Sequence, residues 1–289
     1  MRIVHITDLH VQVAPKISDL FGKRLLSTTN LYLLGRKSKF SEQSQRAAIQ
    51  TALDAKPDAV IFTGDLTAQA LDAEFSAART MLQPILDSVP TVLMAGNHDT
   101  YVRESSPGNR MRELLGQWMS DADPGLHIFD EVAFLTLETC RAHPLSSGYA
   151  QPSQFAKIPD LVQKAEGRFL FLCLHYPLRG RHGEPYGPAT RALANASQVE
   201  SALAKLEGVG AILHGHEHHG FRTTLNIEAG AVPILNPGAS GYAMIPEKDR
   251  TAHLNIYEVS DGALQSVERL RFDGQMFRPE PGGAYATGR

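Results

Sequence analysis

"VLMAGNHDTY", residues Val92 to Tyr101, is the stretch on which the reading of this chain turns. An apolar run stops at Gly96, and Asn97, His98 and Asp99 follow without a spacer. A turn accounts for Gly, Asn and Asp together, because these residues build or tolerate tight backbone geometry. It gives no reason for a histidine. The same ending recurs along the chain: "HITDLH" closes on Asp8 and His10, "VIFTGDL" brings Asp65, "FLCLHY" brings His175, and "ILHGHEHH" brings His216 and His218. In a parallel α/β sheet the carboxyl ends of the strands share one edge, where ligands bind. Residues far apart in sequence would therefore converge at a single rim, and the apolar run stops at Gly96 because it has reached that rim.

The intervals between these endings carry helix signals. Residues 2–7, 59–64 and 91–96 read as strands, with amphipathic helices at 41–55 and 70–82 between them. Strands that are apolar on both faces and separated by helices belong to βαβ units with a parallel sheet. The second helix is expected to break or kink at Pro84, which lacks the N–H that an interior turn needs. A third helix is expected near 110–119, then strands at 132–139 and 168–176, a helix near 197–206 and a strand at 211–215. Beyond it, "VPILNPG", "AHLNIYEV" and "LQSVERLRF" are strand-like with few helix signals, which suits a second sheet stacked on the first. The tail from Asp273 is rich in Pro and Gly and is expected to be extended or mobile. We therefore divide the chain into one domain over 1–272 and a tail over 273–289.

A chain of 289 residues can bury a large core. Its net charge of -3 offers no whole-protein reason to expect nucleic acid or an anionic membrane as partner. The two cysteines, Cys140 and Cys173, lie in apolar strand-like runs and read as small buried hydrophobes. "MRIVHITDLH" goes directly into a strand pattern, and no apolar run approaches the roughly 18 residues of a membrane span. A cytoplasmic location is the expectation.

The residue types choose the chemistry. Asp, Asn and His without Cys form a ligand set suited to Mn, Fe or Zn. Asp8, His10, Asp65, Asn97, His175, His216 and His218 are more ligands than one ordinary site uses. A bridging carboxylate would let them serve two ions about 3.5–4 Å apart, the spacing of two-metal phosphoryl-transfer sites.

Together, Asp8-x-His10, Gly64-Asp65, Gly96-Asn97-His98-Asp99, His175 and Gly215-His216-Glu217-His218 resemble the five blocks of the calcineurin-like metallophosphoesterases, in that family's order, over residues 8–218. The resemblance implies an α/β fold, a four-layer α/β/β/α sandwich with two central mixed β-sheets. It implies two divalent metal ions, with Asp8, His10 and His218 on one, Asn97, His175 and His216 on the other, and Asp65 bridging. It assigns His98 as the acid beside the site and Asp99 as its orienting partner. The implied activity is hydrolysis of phosphodiester bonds by a metal-activated hydroxide, in the manner of the bacterial cyclic-nucleotide phosphodiesterases. A small phosphodiester or nucleotide is the expected substrate, with no stable nucleic acid partner. Two alternatives stay open: a UDP-2,3-diacylglucosamine pyrophosphatase-like hydrolase at the membrane surface, and a partner-binding scaffold that keeps the fold.

Other residues are candidates for substrate contacts. Arg141 and His143 in "CRAHP", and Arg179, Arg181, His182 and Arg191 in the stretch after His175, suit phosphate oxygens, although basic loops are commonly just solvated. Residues 16–40 form a basic, apolar insertion directly after the first ligand pair. Such a mix fits either a helical hairpin packed on the domain or contact with lipid at the inner face of a membrane. His5, inside the first strand, reads as a core residue or as one hydrogen-bonded behind a ligand. His214 and His219 read as supporting or exposed neighbours of the last block.

Overall fold

The computed structural model describes residues 1–19, 36–100, 110–143 and 145–286. The first half of the described chain runs β1 (Arg2–Ile6), α1 (Glu42–Asp54), β2 (Ala59–Phe62), α2 (Asp72–Leu86), β3 (Thr91–Leu93), α3 (Arg110–Leu115), β4 (Gly125–Ile128) and β5 (Val132–Thr136). The second half runs α4 (Pro152–Phe155), α5 (Ile158–Lys164), β6 (Phe169–Cys173), α6 (Ala196–Leu203), β7 (Val209–Leu213), β8 (His219–Ile227), β9 (Gly230–Gly238), β10 (His253–Ser260), β11 (Ala263–Phe272) and β12 (Phe277–Pro279). They form two six-stranded sheets, ordered β12-β11-β10-β1-β2-β3 and β4-β5-β6-β7-β9-β8. Both are mixed: β1, β2 and β3 are parallel while β10 runs antiparallel to β1, and β5, β6, β7 and β9 are parallel between antiparallel β4 and β8.

The strand period sorts side chains into layers. Successive residues of β1 point to opposite faces, so Val4 and Ile6 join Ala48, Ile49, Phe75 and Leu82 in a core beneath α1 and α2. Ile3 points the other way, into a core between the sheets with Ile61, Val92, Phe134, Phe171 and Leu213. On the far side, Leu170, Leu172 and Ile212 pack against Ile158, Val199 and Leu203 of α5 and α6. The result is the α/β/β/α sandwich. α1 begins at its cap, Ser41, whose hydroxyl accepts from the Ser44 N–H at 3.1 Å.

Two features differ from the sequence expectation. α2 runs through Pro84 to Leu86 without stopping. Proline in the last turn forfeits only one hydrogen bond, while the neighbouring Asp87 N–H still closes on Gln83 O and Leu82, Ile85 and Leu86 are buried. β4, α4, α5 and β8 add elements to those expected. The tail is extended at its start, where β12 pairs with β11, and Glu280 is buried against Arg269 at 2.8 Å.

The loop after β9 ties three parts of the fold together. Its Ser240 N–H donates to Thr7 O at 2.8 Å and its Gly241 N–H to Asp8 O at 3.2 Å. The same loop takes up the entry to α1, through Ser41 N–H to Gly241 O and Ala243 N–H to Lys39 O.

Candidate metal centre

The parallel strands deliver their ligands in conformations that ordinary residues avoid. Asp8, His10, Asp65 and His216 have φ of 53°, 52°, 55° and 66°. Each such non-glycine residue costs of order 1–3 kcal/mol and persists only where its surroundings over-determine it. Here a ladder does so: Asp8 N–H donates to Gly64 O, His10 N–H to Asp65 O and Val11 N–H to Leu66 O, at 3.0, 2.9 and 2.8 Å. Close approach requires glycine beside it. A Cβ on Gly96 would sit 2.1 Å from Asp65 Oδ1, and Gly64, at φ 103°, lies against the Gly96 backbone.

Two groups of donors result. In the first, His218 Nε2 is 3.4 Å and His10 Nε2 3.7 Å from Asp8 Oδ1, and the two nitrogens are 3.1 Å apart. With Asp65 they place four ligating atoms within 4.8 Å of one another. In the second, Asn97 Oδ1 is 3.1 Å from His175 Nε2 and 2.7 Å from His216 Nδ1. Asp65 belongs to both, with Oδ2 3.5 Å from His10 Nε2 and Oδ1 3.5 Å from His175 Nε2. All seven predicted ligands are thus brought together.

The donor set fits divalent cations. Asp8 Oδ1 is buried without a hydrogen-bond partner, a costly state for a carboxylate, and it faces two imidazole nitrogens across a gap that a cation would fill. The groups behind the ligands fix their orientation. Asp8 Oδ2 accepts from Thr7 Oγ1 and from the His216 N–H, His175 Nδ1 is 2.8 Å from Thr63 O, and His216 Nε2 is 2.9 Å from Arg191 O. His218 Nδ1 is 3.0 Å from the Tyr242 hydroxyl.

Charge is balanced internally. Burial opposes ionisation of Asp8, but the neighbouring imidazoles of His10 and His218 prevail and hold its carboxyl well below the ordinary range. Burial likewise opposes Asp65, and His175 and His98 overcome it. Burial works against charge on His175, yet Asp65 pushes it up to about 9.

His98 is half-buried at the rim, its Nδ1 2.6 Å from Ala68 O and its backbone N–H on Asp65 Oδ1 at 2.7 Å. Asp99 does not supply the orienting contact expected of it. Its two oxygens accept from the N–H groups of Gly96, Leu66 and Thr67 and from the Thr67 hydroxyl, so it ties the β2 and β3 loops together. The reason is geometric: the His98 ring turns back toward Ala68, away from the next residue's carboxylate.

A cavity of about 390 Å³ opens on the cluster, lined by Asp65, Asn97, His98, His216 and His218 together with Phe40, Ser146, Arg191, Glu217, His219 and Tyr242. A larger one of about 490 Å³, beside Phe40, Gln45 and Met81, carries no such cluster among the described residues, so we place the chemistry in the first. Of the six candidate substrate residues, Arg191 lines this cavity and the others do not. Arg179 is bound to Glu200 at 2.6 Å, and Arg141 lies over the Tyr149 ring. His143 accepts from the Leu145 N–H within its own loop. Arg181 and His182 stand in the turn closed by Glu184, outside the lining. Nearby acidic and aromatic groups engage Arg179 and Arg141 before a substrate could.

His5 is buried between the sheets, with Nε2 2.8 Å from Thr63 Oγ1, and burial lowers its pKa to about 3. It supports the residue whose carbonyl holds His175. Most of the insertion at 16–40, namely 20–35, lies outside the described residues, and the lipid-contact expectation lies there with it. Among the described residues no helix is long and apolar enough to cross a membrane.

Sequence reading missed Ser146, Glu217 and Tyr242 as cavity residues. A signal for Tyr242 existed. β9 is parallel to β7, so its carboxyl end reaches the same rim, and "GASGYAM" follows it directly.

Fold and site together define a metal-dependent phosphoester hydrolase. The family model for calcineurin-like phosphoesterase matches residues 1–220, and the chain belongs to that family. A curated relative, a probable cyclic nucleotide phosphodiesterase of Pseudoalteromonas sp. (strain SM9913), is 25% identical over 230 residues, covering 77% of this chain and 73% of its own. The fold is shared with a dimetal phosphatase from Danio rerio, at TM-score 0.56 and 14% identity over 96% of this chain and 98% of that one. A purple acid phosphatase from yellow lupin seeds shares it too, at TM-score 0.59 and 16% identity over 96% of this chain and 52% of that one.

Proposed function

We propose that the chain is a phosphodiesterase working with two divalent cations, Mn, Fe or Zn, and acting on a small phosphodiester of the cyclic-nucleotide kind. The observation that carries the reading is the placing of Asp65, one carboxylate oxygen toward each group of donors. Asp8, His10 and His218 would hold one cation, Asn97, His175 and His216 the other, and Asp65 both. The chemistry such ions supply is Lewis acidity, which acidifies water and draws charge from phosphoryl oxygens. The cavity lies within the range of small-ligand sites, roughly 300–1,000 Å³, and the curated relative's description supports the substrate class.

The chain's own groups complete the site. With Nδ1–H committed to the Ala68 carbonyl, proton exchange by His98, a residue of the cavity lining, falls to its Nε2. That atom delivers a proton to the departing alkoxide, a role worth about 10²–10⁴-fold. Arg191 stands in the lining as the guanidinium available to a phosphoryl oxygen. The test is a panel of cyclic nucleotides, bis-p-nitrophenyl phosphate and aryl monoesters, run with Mn²⁺. Diesters should be turned over faster than monoesters. Faster monoester turnover would sink the phosphodiesterase reading, and a metal-loaded protein inert on the whole panel would sink the substrate class.

A further inference from the structure

We propose that Tyr242 is a positioning residue that sets His218 for metal ligation by accepting a hydrogen bond from its Nδ1–H. The inference rests on the two-cation reading. The phenolic oxygen lies 3.0 Å from Nδ1. The other nitrogen, Nε2, faces Asp8 Oδ1 and His10 Nε2 at 3.4 and 3.1 Å. A cation there needs a lone pair on Nε2, so the single proton of a neutral imidazole must sit on Nδ1 and needs an acceptor.

The other ligand histidines of known second contact are set by main-chain carbonyls, His175 by Thr63 and His216 by Arg191. For His218 the acceptor is a side chain, and its backing is unusually firm. The Tyr242 ring is buried between Phe40 and the Arg250 guanidinium, each 5.2 Å away. Its chain neighbours Gly241 and Ala243 are hydrogen-bonded to Asp8 and Lys39. Phe40 in turn covers the His10 ring at 4.2 Å. The phenolic oxygen is therefore held in place, and core packing alone would be served as well by phenylalanine. What the hydroxyl adds is the tautomer of His218.

The experiment is Tyr242→Phe, which keeps the ring and removes the acceptor. The metal-free variant should melt with the parent. Calorimetric titration with Mn²⁺ should show one binding event weakened by about 10–100-fold, the usual effect of losing such a partner, and the other unchanged. Nitrogen-15 NMR of the metal-free parent should show His218 protonated at Nδ1, and that preference should fade in the variant. Superimposable Mn²⁺ isotherms would overturn the proposal. So would an Nε2–H tautomer at His218 in the parent, a result available even if the variant does not fold. A parent that takes up no Mn²⁺ would instead overturn the metal-centre reading beneath it.

Discussion

His98 and Asp99 are adjacent, polar and close to the same cluster, yet they do different work. His98 reaches the cavity wall, whereas Asp99 is fully enclosed and accepts four hydrogen bonds from the loops around it. Burial, reinforced by the Asp65 charge, pushes the Asp99 carboxyl up to about 6. The division is testable through His98→Ala. The variant should keep its full metal content by mass spectrometry. It should lose about 10²–10⁴-fold in turnover of alkyl phosphodiesters, whose leaving group needs a proton. Turnover of p-nitrophenyl esters should change far less. Equal losses on both substrate types would assign His98 a role other than proton donor. At this scale the gathering of the seven side chains was legible because strand ends and residue chemistry agreed. The partner of a side chain was not: nothing in "GNHD" says that the imidazole will turn toward Ala68, or that Arg179 will meet Glu200 on a distant helix.

Elements were legible where hydrophobic period and terminus signals coincided. α1 has an apolar stripe, a serine cap and a proline beyond its end, and it falls within a residue of its expected bounds. β4 is four residues with a buried-to-exposed gradient, and such short edge strands carry little periodic signal. Pro84 misled because a local rule ignores the three buried anchors around it. The start of α2 supplies a prediction of its own. Glu74 accepts from the N–H groups of Gln69 and Leu71. Burial raises its pKa from 4.5 to about 7, more than those hydrogen bonds lower it. The folded state therefore holds a proton that the unfolded state has lost. The group's contribution is present below pH 4.5 and disappears as pH rises through about 7. Glu74→Gln, neutral throughout, should gain in Tm relative to the parent between pH 5 and pH 8. A Tm difference independent of pH would show that Glu74 is ionised in both states.

At the scale of the whole molecule, the two sheets are joined by more than their shared apolar layer. Arg269 on β11 donates through Nε to Pro237 O on β9, at 2.8 Å, and its other end meets Glu280 just beyond β12. Glu280 also accepts from the Tyr285 N–H, so one carboxylate anchors the tail. Both partners of this ion pair are almost fully enclosed. Removing one partner of a buried pair strands the other charge, at about 3–5 kcal/mol. Glu280→Ala should lower unfolding stability by that amount in urea titration, and a loss under 1 kcal/mol would show that water or another group takes over the guanidinium. A parallel sheet with a second sheet stacked on it was legible from the pattern of strands and helices, and the family resemblance implied the four layers. The order of strands was not, because β10 pairs beside β1 through contacts between segments far apart in sequence.

That strand order has a consequence for biosynthesis. Asp8 leaves the ribosome well ahead of the loop that grips its backbone at Gly241 and backs His218 through Tyr242, a loop translated after all seven ligands. A nascent chain therefore carries its first acidic donors long before the rim that organises them can assemble. The loop around 243 is thus the last part of this rim to be synthesised, after every side chain that it backs.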